Sequence, residues 1–312
     1  MNLKKNLLAL SVGTVIAAAS TAASANSLLF PYFTTNNGGQ SSLSLTTDGS
    51  VGGARDIHFV YNYGDACTHY DLNGQMTGND LLQQSIAAPS VGGYGLAAGS
   101  DTSTPAYFPL ANTQGFLVVS DTTSSSATAI SGDMAIADPS TGLVAAYSGI
   151  TNAVDTSVAA NEGNFSTLTQ TNFGLSFYPQ AAVTTSWFTV VTGDMSTAIG
   201  AGADWDATAT LSNNGNVFDN DENPYSGTMT KKITCSGTVA PTDLMTTAQQ
   251  AAIGPNGGLL NATWAPGAAG TTTTSGNPSV YAATGVVMYK MQLVSAAVGA
   301  PFAGKMFLNE QK

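Results

Sequence analysis

Few residues in this chain are of types that do chemistry, and their spacing limits what they could do. Asp71-Leu72-Asn73-Gly74-Gln75-Met76-Thr77-Gly78-Asn79-Asp80 places oxygen-bearing side chains at intervals along one short stretch. Alternating oxygens suit Ca2+, which takes six to eight of them in a bent loop. Asp71, Asn73 and Asp80 are therefore calcium candidates, although no ligand stands at the fifth position and no glycine follows it to permit the bend. The competing reading is an Asn73-Gly74 turn leading into a short helix capped at Thr77. Asp219-Asn220-Asp221-Glu222-Asn223 is the densest acidic run. Asp219 and Asp221 form a second alternating pair, but Pro224 stands where the bend glycine belongs, so a solvated loop competes. Cys67-Thr68-His69, with His58 and Asp71 near in sequence, offers donors of the kind zinc takes. Cys67 has a better use in a disulfide, and His58 shares a strand pattern with Val60.

Nucleophile signatures are poor. There is no Gly-x-Ser-x-Gly elbow. Two Asp-Thr-Ser triplets, at Asp101 and Asp155, lie in Ser/Thr-rich stretches and lack the glycine that paired-aspartate proteases place third. Gly93-Tyr94-Gly95-Leu96-Ala97-Ala98 fits a dinucleotide fingerprint in letters only, since no strand precedes it and no helix follows. No catalytic residue is assigned, and the chain is expected not to be an enzyme. Among the aromatics, Trp187 belongs to a strand pattern. Trp205 and Trp264 sit in polar surroundings and are candidates for stacking against a sugar.

The elements that must position these residues are mostly strands. Short runs rich in Val, Thr, Phe and Tyr recur between Gly, Asn, Asp, Pro and Ser clusters. Leu43 and Leu45 alternate with serines. Ile57, Phe59 and Tyr61 alternate with His58, Val60 and Asn62. Residues 115–120 read as a buried strand, and 127–137 with 143–150 as a hairpin. The clearest strands are 183–192, with Trp187 and Val191 opposite Phe188 and Val190, and 286–294, with Val287, Tyr289, Met291 and Leu293 opposite Lys290 and Gln292. Helix signals are two: Leu81-Leu82-Gln83-Gln84 behind Thr77, and a stripe of Leu244, Met245, Ala248 and Ala252 between Pro241 and Gly254. The expected fold is all-β: one large antiparallel β-sandwich, jelly-roll-like, over residues 26–312 with one or two short helices. Residues 195–275 leave room for an inserted small lobe.

Lys4 and Lys5, an apolar run from Leu7 to Ala19 and Ala23-Ser24-Ala25 make residues 1–25 a signal peptide, with Asn26 as the expected mature start. The apolar run is too short to span a bilayer, and no later stretch is long enough to span as a helix. Export to the cell surface, the extracellular space or the periplasm follows. In such a compartment Cys67 and Cys235, the only cysteines, pair as a disulfide; no CxxC supports a redox or metal role. Only 9% of residues are charged, Arg55 is the sole arginine, and losing the leader moves the net charge from −11 to −13. That excludes nucleic acid, which needs clustered cations, and disfavours anionic membrane surfaces.

The mature chain would open on Asn26-Ser27-Leu28-Leu29-Phe30-Pro31-Tyr32-Phe33, an apolar extended segment in which Pro31 forbids a helix interior. Leu28, Leu29, Phe30, Tyr32 and Phe33 either complete their own sheet or are donated to a neighbouring subunit to build a filament or layer. This opening, together with Cys67-Thr68-His69-Tyr70-Asp71, Gly74, Thr77 and Asn79-Asp80-Leu81, resembles an uncharacterised family of exported, β-rich surface proteins of Gram-negative bacteria. Gly115-Phe116-Leu117 and Ser131-Gly132 add a looser likeness. The resemblance implies export and a β fold and brings no functional residues. The Asp71–Asp80 stretch separately resembles a dockerin-type calcium loop with its central Asp-Gly missing.

The expected function is a secreted, non-enzymatic cell-surface structural or adhesive protein whose partner is itself. The other class is an extracellular carbohydrate-binding module, assisted by calcium, whose partners are surface glycans. Charges are scarce in the candidate strands, and edge strands normally carry charge to prevent sheet-to-sheet pairing. That scarcity favours assembly over catalysis.

Overall fold

Period-two alternation produces strands throughout, and every described strand pairing is antiparallel. The computed structural model describes residues 27–47, 53–86, 110–123, 130–138, 143–151, 163–179, 181, 183–200, 202–267, 281–294 and 305–308. The leader, residues 93–98, Asp101 and Asp155 lie outside the described residues. The first sheet runs β4 (Thr68–Met76), β3 (Arg55–Tyr63), β6 (Gln114–Asp121), β1 (Ser27–Thr34), β9 (Ile150–Thr151). The second runs β5 (Leu81–Ser85), β2 (Gln40–Thr47), β7 (Ile130–Asp138), β8 (Leu143–Ser148). The third is β14 (Pro224–Tyr225), β13 (Val217–Asp219), β17 (Gly258–Pro266), β12 (Thr208–Ser212), β15 (Thr230–Thr234), with β10 (Asn172–Phe177) also paired to β17. The fourth is β16 (Ser236–Val239), β11 (Val183–Gly193), β18 (Ala283–Val294), β19 (Lys305–Leu308). The fold is all-β, as the alternation predicts. Among the described residues, strands up to Thr151 pair only with one another, and so do those from Asn172 onward.

The first two sheets face each other over aromatic side chains. Phe33 meets Tyr61 edge-on at 5.6 Å, Phe30 lies 6.4 Å from Tyr147, and the Tyr61 hydroxyl donates to Gln84 Oε1 at 2.8 Å. Burial pushes the Tyr61 hydroxyl far above its ordinary pKa, so it stays a neutral donor. The back of the first sheet is covered as well. Leu29, Val60 and Val118 stand in register there and are buried. Tyr32 packs on Phe188 at 4.8 Å and Tyr147 on Tyr289 at 4.8 Å, which ties the first half of the chain to the second. Burial on both sides explains the unbroken apolar run at Leu28–Leu29–Phe30. It also explains why Met288 and Gln292 of β18 are buried together with the opposite face, Val287, Tyr289 and Met291.

One of the two expected helices is a strand. The Asp80 carboxylate accepts from Thr77 N at 2.9 Å and Leu81 N at 2.8 Å, closing a turn instead of capping a helix. Leu81 to Ser85 then pair with β2, with Leu82 and Gln84 buried and Leu81 and Gln83 exposed. Four residues with a period-two choice available gain more from the ladder than from a single helical turn, whose nucleation is costly.

The second expected helix breaks in two. A 3-10 turn at Pro241–Leu244 stops, and Thr246 starts α2 (Thr247–Ile253) through a reciprocal cap with Gln249. The restart turns Gln249 and Ile253 inward, where Ala248 and Ala252 were expected. The Gln249 amide repays its burial by donating to the carbonyls of Tyr225 and Gly227, both at 3.0 Å. A five-residue helix, α1 (Ser196–Gly200), completes the set. Among the described residues, no helix is long and apolar enough to cross a membrane.

Candidate functional site

The expected disulfide is present. Cys67, ending the β3–β4 turn, and Cys235, between β15 and β16, are buried with Cα atoms 5.8 Å apart across 168 residues. Both have left-handed backbone, φ 57° and 58°. A non-glycine residue there costs roughly 1–2 kcal/mol, so the crosslink holds two strained corners against each other. It staples the first half of the chain to the second.

Next to that staple lies a convergence of titratable groups that sequence spacing partly signalled. His69 donates its backbone N–H to Asp204 Oδ1 at 3.1 Å, and its Nδ1–H reaches the same oxygen at 2.6 Å. Its Nε2 stands 3.6 Å from Asp71 Oδ2, while His58 Nε2 stands 3.7 Å from Asp71 Oδ1. The ladder explains this: His58 opposes Asn73, Val60 opposes Asp71 and Asn62 opposes His69, so both histidines lie on one face with Asp71 between them. The only two histidines in the chain thus share one carboxylate. Burial, then the nearby charge of Asp204, pushes the Tyr63 hydroxyl above its ordinary pKa. An Asp-oriented histidine serves as a base when a hydroxyl or thiol faces its free nitrogen. Here that nitrogen faces a second carboxylate. The arrangement gathers both histidines and two carboxylates along the seam between the two halves, and Asp204, over 130 residues away in sequence, had no sequence signal.

The calcium candidates are occupied in other ways. Asp71 and Asn73 lie two apart on the extended strand β4, which spreads them along a line instead of bending them around an ion. Asp80 closes the Thr77 turn described above. Asp219 organises its own loop: it accepts from Asn223 Nδ2 at 3.0 and 3.2 Å, from Asn223 N at 2.9 Å, from Asp221 N at 2.9 Å and from the Tyr225 hydroxyl at 3.2 Å. Asp221 is exposed beside it. These residues therefore do not form the bent oxygen loop that the sequence suggested, and among the described residues no group of three or more His, Cys, Asp or Glu side chains is placed to hold a metal.

The hydrogen bonds from Asn223, side chain first and backbone second, hold the Asp219 carboxyl below the usual range. A depressed carboxyl favours the folded turn above its unfolded pKa, and that contribution disappears as pH falls through the folded value. Carboxyl NMR titration should place Asp219 below free aspartate, and Asn223→Ala should raise it toward the ordinary value. No change on that substitution would contradict the assignment.

Of the two sugar-stacking candidates, one is withdrawn from solvent and one is partly exposed. Trp205 is buried, donates Nε1–H to Val191 O at 2.9 Å and packs 5.3 Å from Tyr281. Its polar neighbours in sequence misled, because the segment between α1 and β12 turns this side chain into the core. Trp264 is half-buried, with Nε1–H given to Gln170 O at 2.6 Å. The assembly candidates Leu28, Leu29, Phe30, Tyr32 and Phe33 are core residues of β1, which is hydrogen-bonded between β6 and β9 of its own chain. Donating that strand would strip the sheet it completes.

What the structure does expose is a set of unlike sheet edges. β15 carries Lys231 and Lys232, β14 carries Pro224, and β19 carries Lys305. β5 (LLQQS), β8 (LVAAYS), β9 (IT), β10 (NFGLSF) and β16 (SGTV) carry neither charge nor proline.

No protein-family model, curated protein or solved structure matches this chain.

Proposed function

We propose that the protein is an exported, non-enzymatic cell-surface structural or adhesive protein that works by associating with itself through sheet edges. The observation that carries this reading is the composition of the β10 edge, six residues without charge or proline in a sheet whose other edges, β14 and β15, carry proline and lysine. Unguarded edges are templates for strand addition, and natural proteins blunt those they do not use. A signal-peptide pattern, a long-range disulfide suited to an oxidising compartment and the sparse charge support the same location and role. Self-association through an outer edge leaves β1 in its own sheet, so assembly needs no strand exchange. Negative-stain electron microscopy of the exported protein should show ordered oligomers, fibres or sheets. Uniform single particles at every concentration would overturn the reading.

A further inference from the structure

The β10 edge has a defined hydrogen-bonding register. β10 pairs with β17 as Asn172–Thr263, Gly174–Asn261 and Ser176–Leu259, without a bulge. On the other edge of β17, Asn261 donates its N–H to Asn216 O at 2.9 Å, just before Asn216 leads into β13. The polar backbone groups of Asn261 therefore point away from β10. In an antiparallel ladder the residue opposite such a position also points its N–H and C=O away. Gly174 thus faces the outer edge, and alternation adds Asn172 and Ser176. Their side-chain positions are the exposed ones, while Phe173, Leu175 and Phe177 fill the core.

We infer that a second copy of this chain pairs antiparallel on β10, with the two-fold axis passing between Gly174 and its symmetry mate. The inference rests on the proposed self-association and names where it happens. Antiparallel partners must place outward groups against outward groups and exposed side chains against exposed ones. A two-fold at Gly174 does both, joining Asn172 to Ser176 of the second copy and Gly174 to Gly174, each as a hydrogen-bonded pair. A two-fold at Leu175 also keeps the faces matched, but it sets Asn172 opposite Tyr178, beyond the end of β10, and puts Leu175 in place of glycine at the axis. Glycine at the axis removes side-chain bulk where the copies meet. A Cβ there would find only Leu259 Cδ1, at 3.9 Å, so other residues fit the monomer. Lys290 reaches this edge only at its far end, where Nζ donates to Ser176 Oγ at 2.9 Å and lies 5.9 Å from the Tyr178 ring centre. That position leaves Asn172 and Gly174 uncharged.

Cysteine scanning tests the register in the full exported protein with its native disulfide intact. Partners in a hydrogen-bonded pair have Cα atoms about 5.5 Å apart, within disulfide reach, whereas Asn172 and its mate would be separated by roughly 14 Å. Mild oxidation should convert most Gly174→Cys to a covalent dimer and leave Asn172→Cys at least tenfold less crosslinked. Gly174→Lys should keep the monomer's circular dichroism and melting curve while weakening dimerisation more than tenfold. Equal crosslinking at both positions, or crosslinking to a different polypeptide only, overturns the inference. If wild type self-associates but Gly174→Lys associates equally well, the edge is wrong and the functional reading survives. If wild type stays monomeric at all concentrations, both fall.

Discussion

Replacing Cys67 and Cys235 together by serine lowers the unfolding free energy by about 5 kcal/mol, the largest effect expected of any small change to this chain. The magnitude comes from the 168-residue separation, because a crosslink stabilises by removing loop-closure entropy from the unfolded chain, and that term grows slowly with loop length. Loss of the crosslink also releases two non-glycine residues from left-handed backbone, which offsets part of the cost. Urea unfolding of the wild type with and without reductant, beside the double serine variant, measures it. The reduced wild type and the variant should coincide. A loss below 1 kcal/mol would show that the seam is held by its packing, including Tyr32 on Phe188 and Tyr147 on Tyr289, without need of the staple.

The second large effect is at Asp121. Its carboxylate receives Arg55 Nη1 in an ion pair whose side chains are 2% and 0% exposed, and its Oδ1 accepts from Thr123 N at 3.0 Å. Arg55 Nε and Nη2 find no acceptor. Removing Asp121 as Asp121→Ala leaves a buried cation uncompensated, and a loss of about 3–5 kcal/mol follows. Desolvating both ions already cost much of what their attraction returns, so the pair replaced together should behave differently. Arg55→Met with Asp121→Leu should recover most of the stability, within about 1 kcal/mol of wild type or above it. Chemical denaturation of the single and double variants decides this. A double variant as damaged as the single would mean that the pair makes interactions beyond its own charges.

The strand pattern was legible where one face met the core and the other met solvent. β2 showed it in Leu43 and Leu45; β10 has the same alternation in Phe173, Leu175 and Phe177 but was not among the expected strands. It misled where tertiary pairing competed with a local signal. Thr77 and Asp80 have the letters of a helix cap, yet Leu81–Ser85 had an open edge of β2 to join. Thr246 and Gln249 also form a cap, and there the expected stripe slipped by one residue because the helix starts afresh. The disulfide was readable from cysteine count and compartment. The acidic candidates were not, since a carboxylate that closes a turn and one that binds an ion use the same residue types. Trp205 illustrates a further limit: polar neighbours in sequence say nothing about what folds over a side chain from 76 residues away, as Tyr281 does. Asp204 meets His69 only because the segment before β12 packs against β4, a relation no local spacing encodes.

Sheet edges belong to the same class of hidden information. Composition suggested that charge was scarce in strands, but only the ladder shows which strands are edges and which backbone groups they present. The unguarded β10 edge and the guarded β15 edge belong to one sheet, so the contrast does not follow from overall composition. On the function proposed above, that edge is where copies of the chain would pair.

Sedimentation velocity of the wild-type protein and of Gly174→Lys, over a hundredfold range of concentration, tests that account most directly. The wild type should shift from monomer to dimer or larger species as concentration rises, with the lysine variant remaining a folded monomer across the range. Two identical monomeric profiles would contradict it.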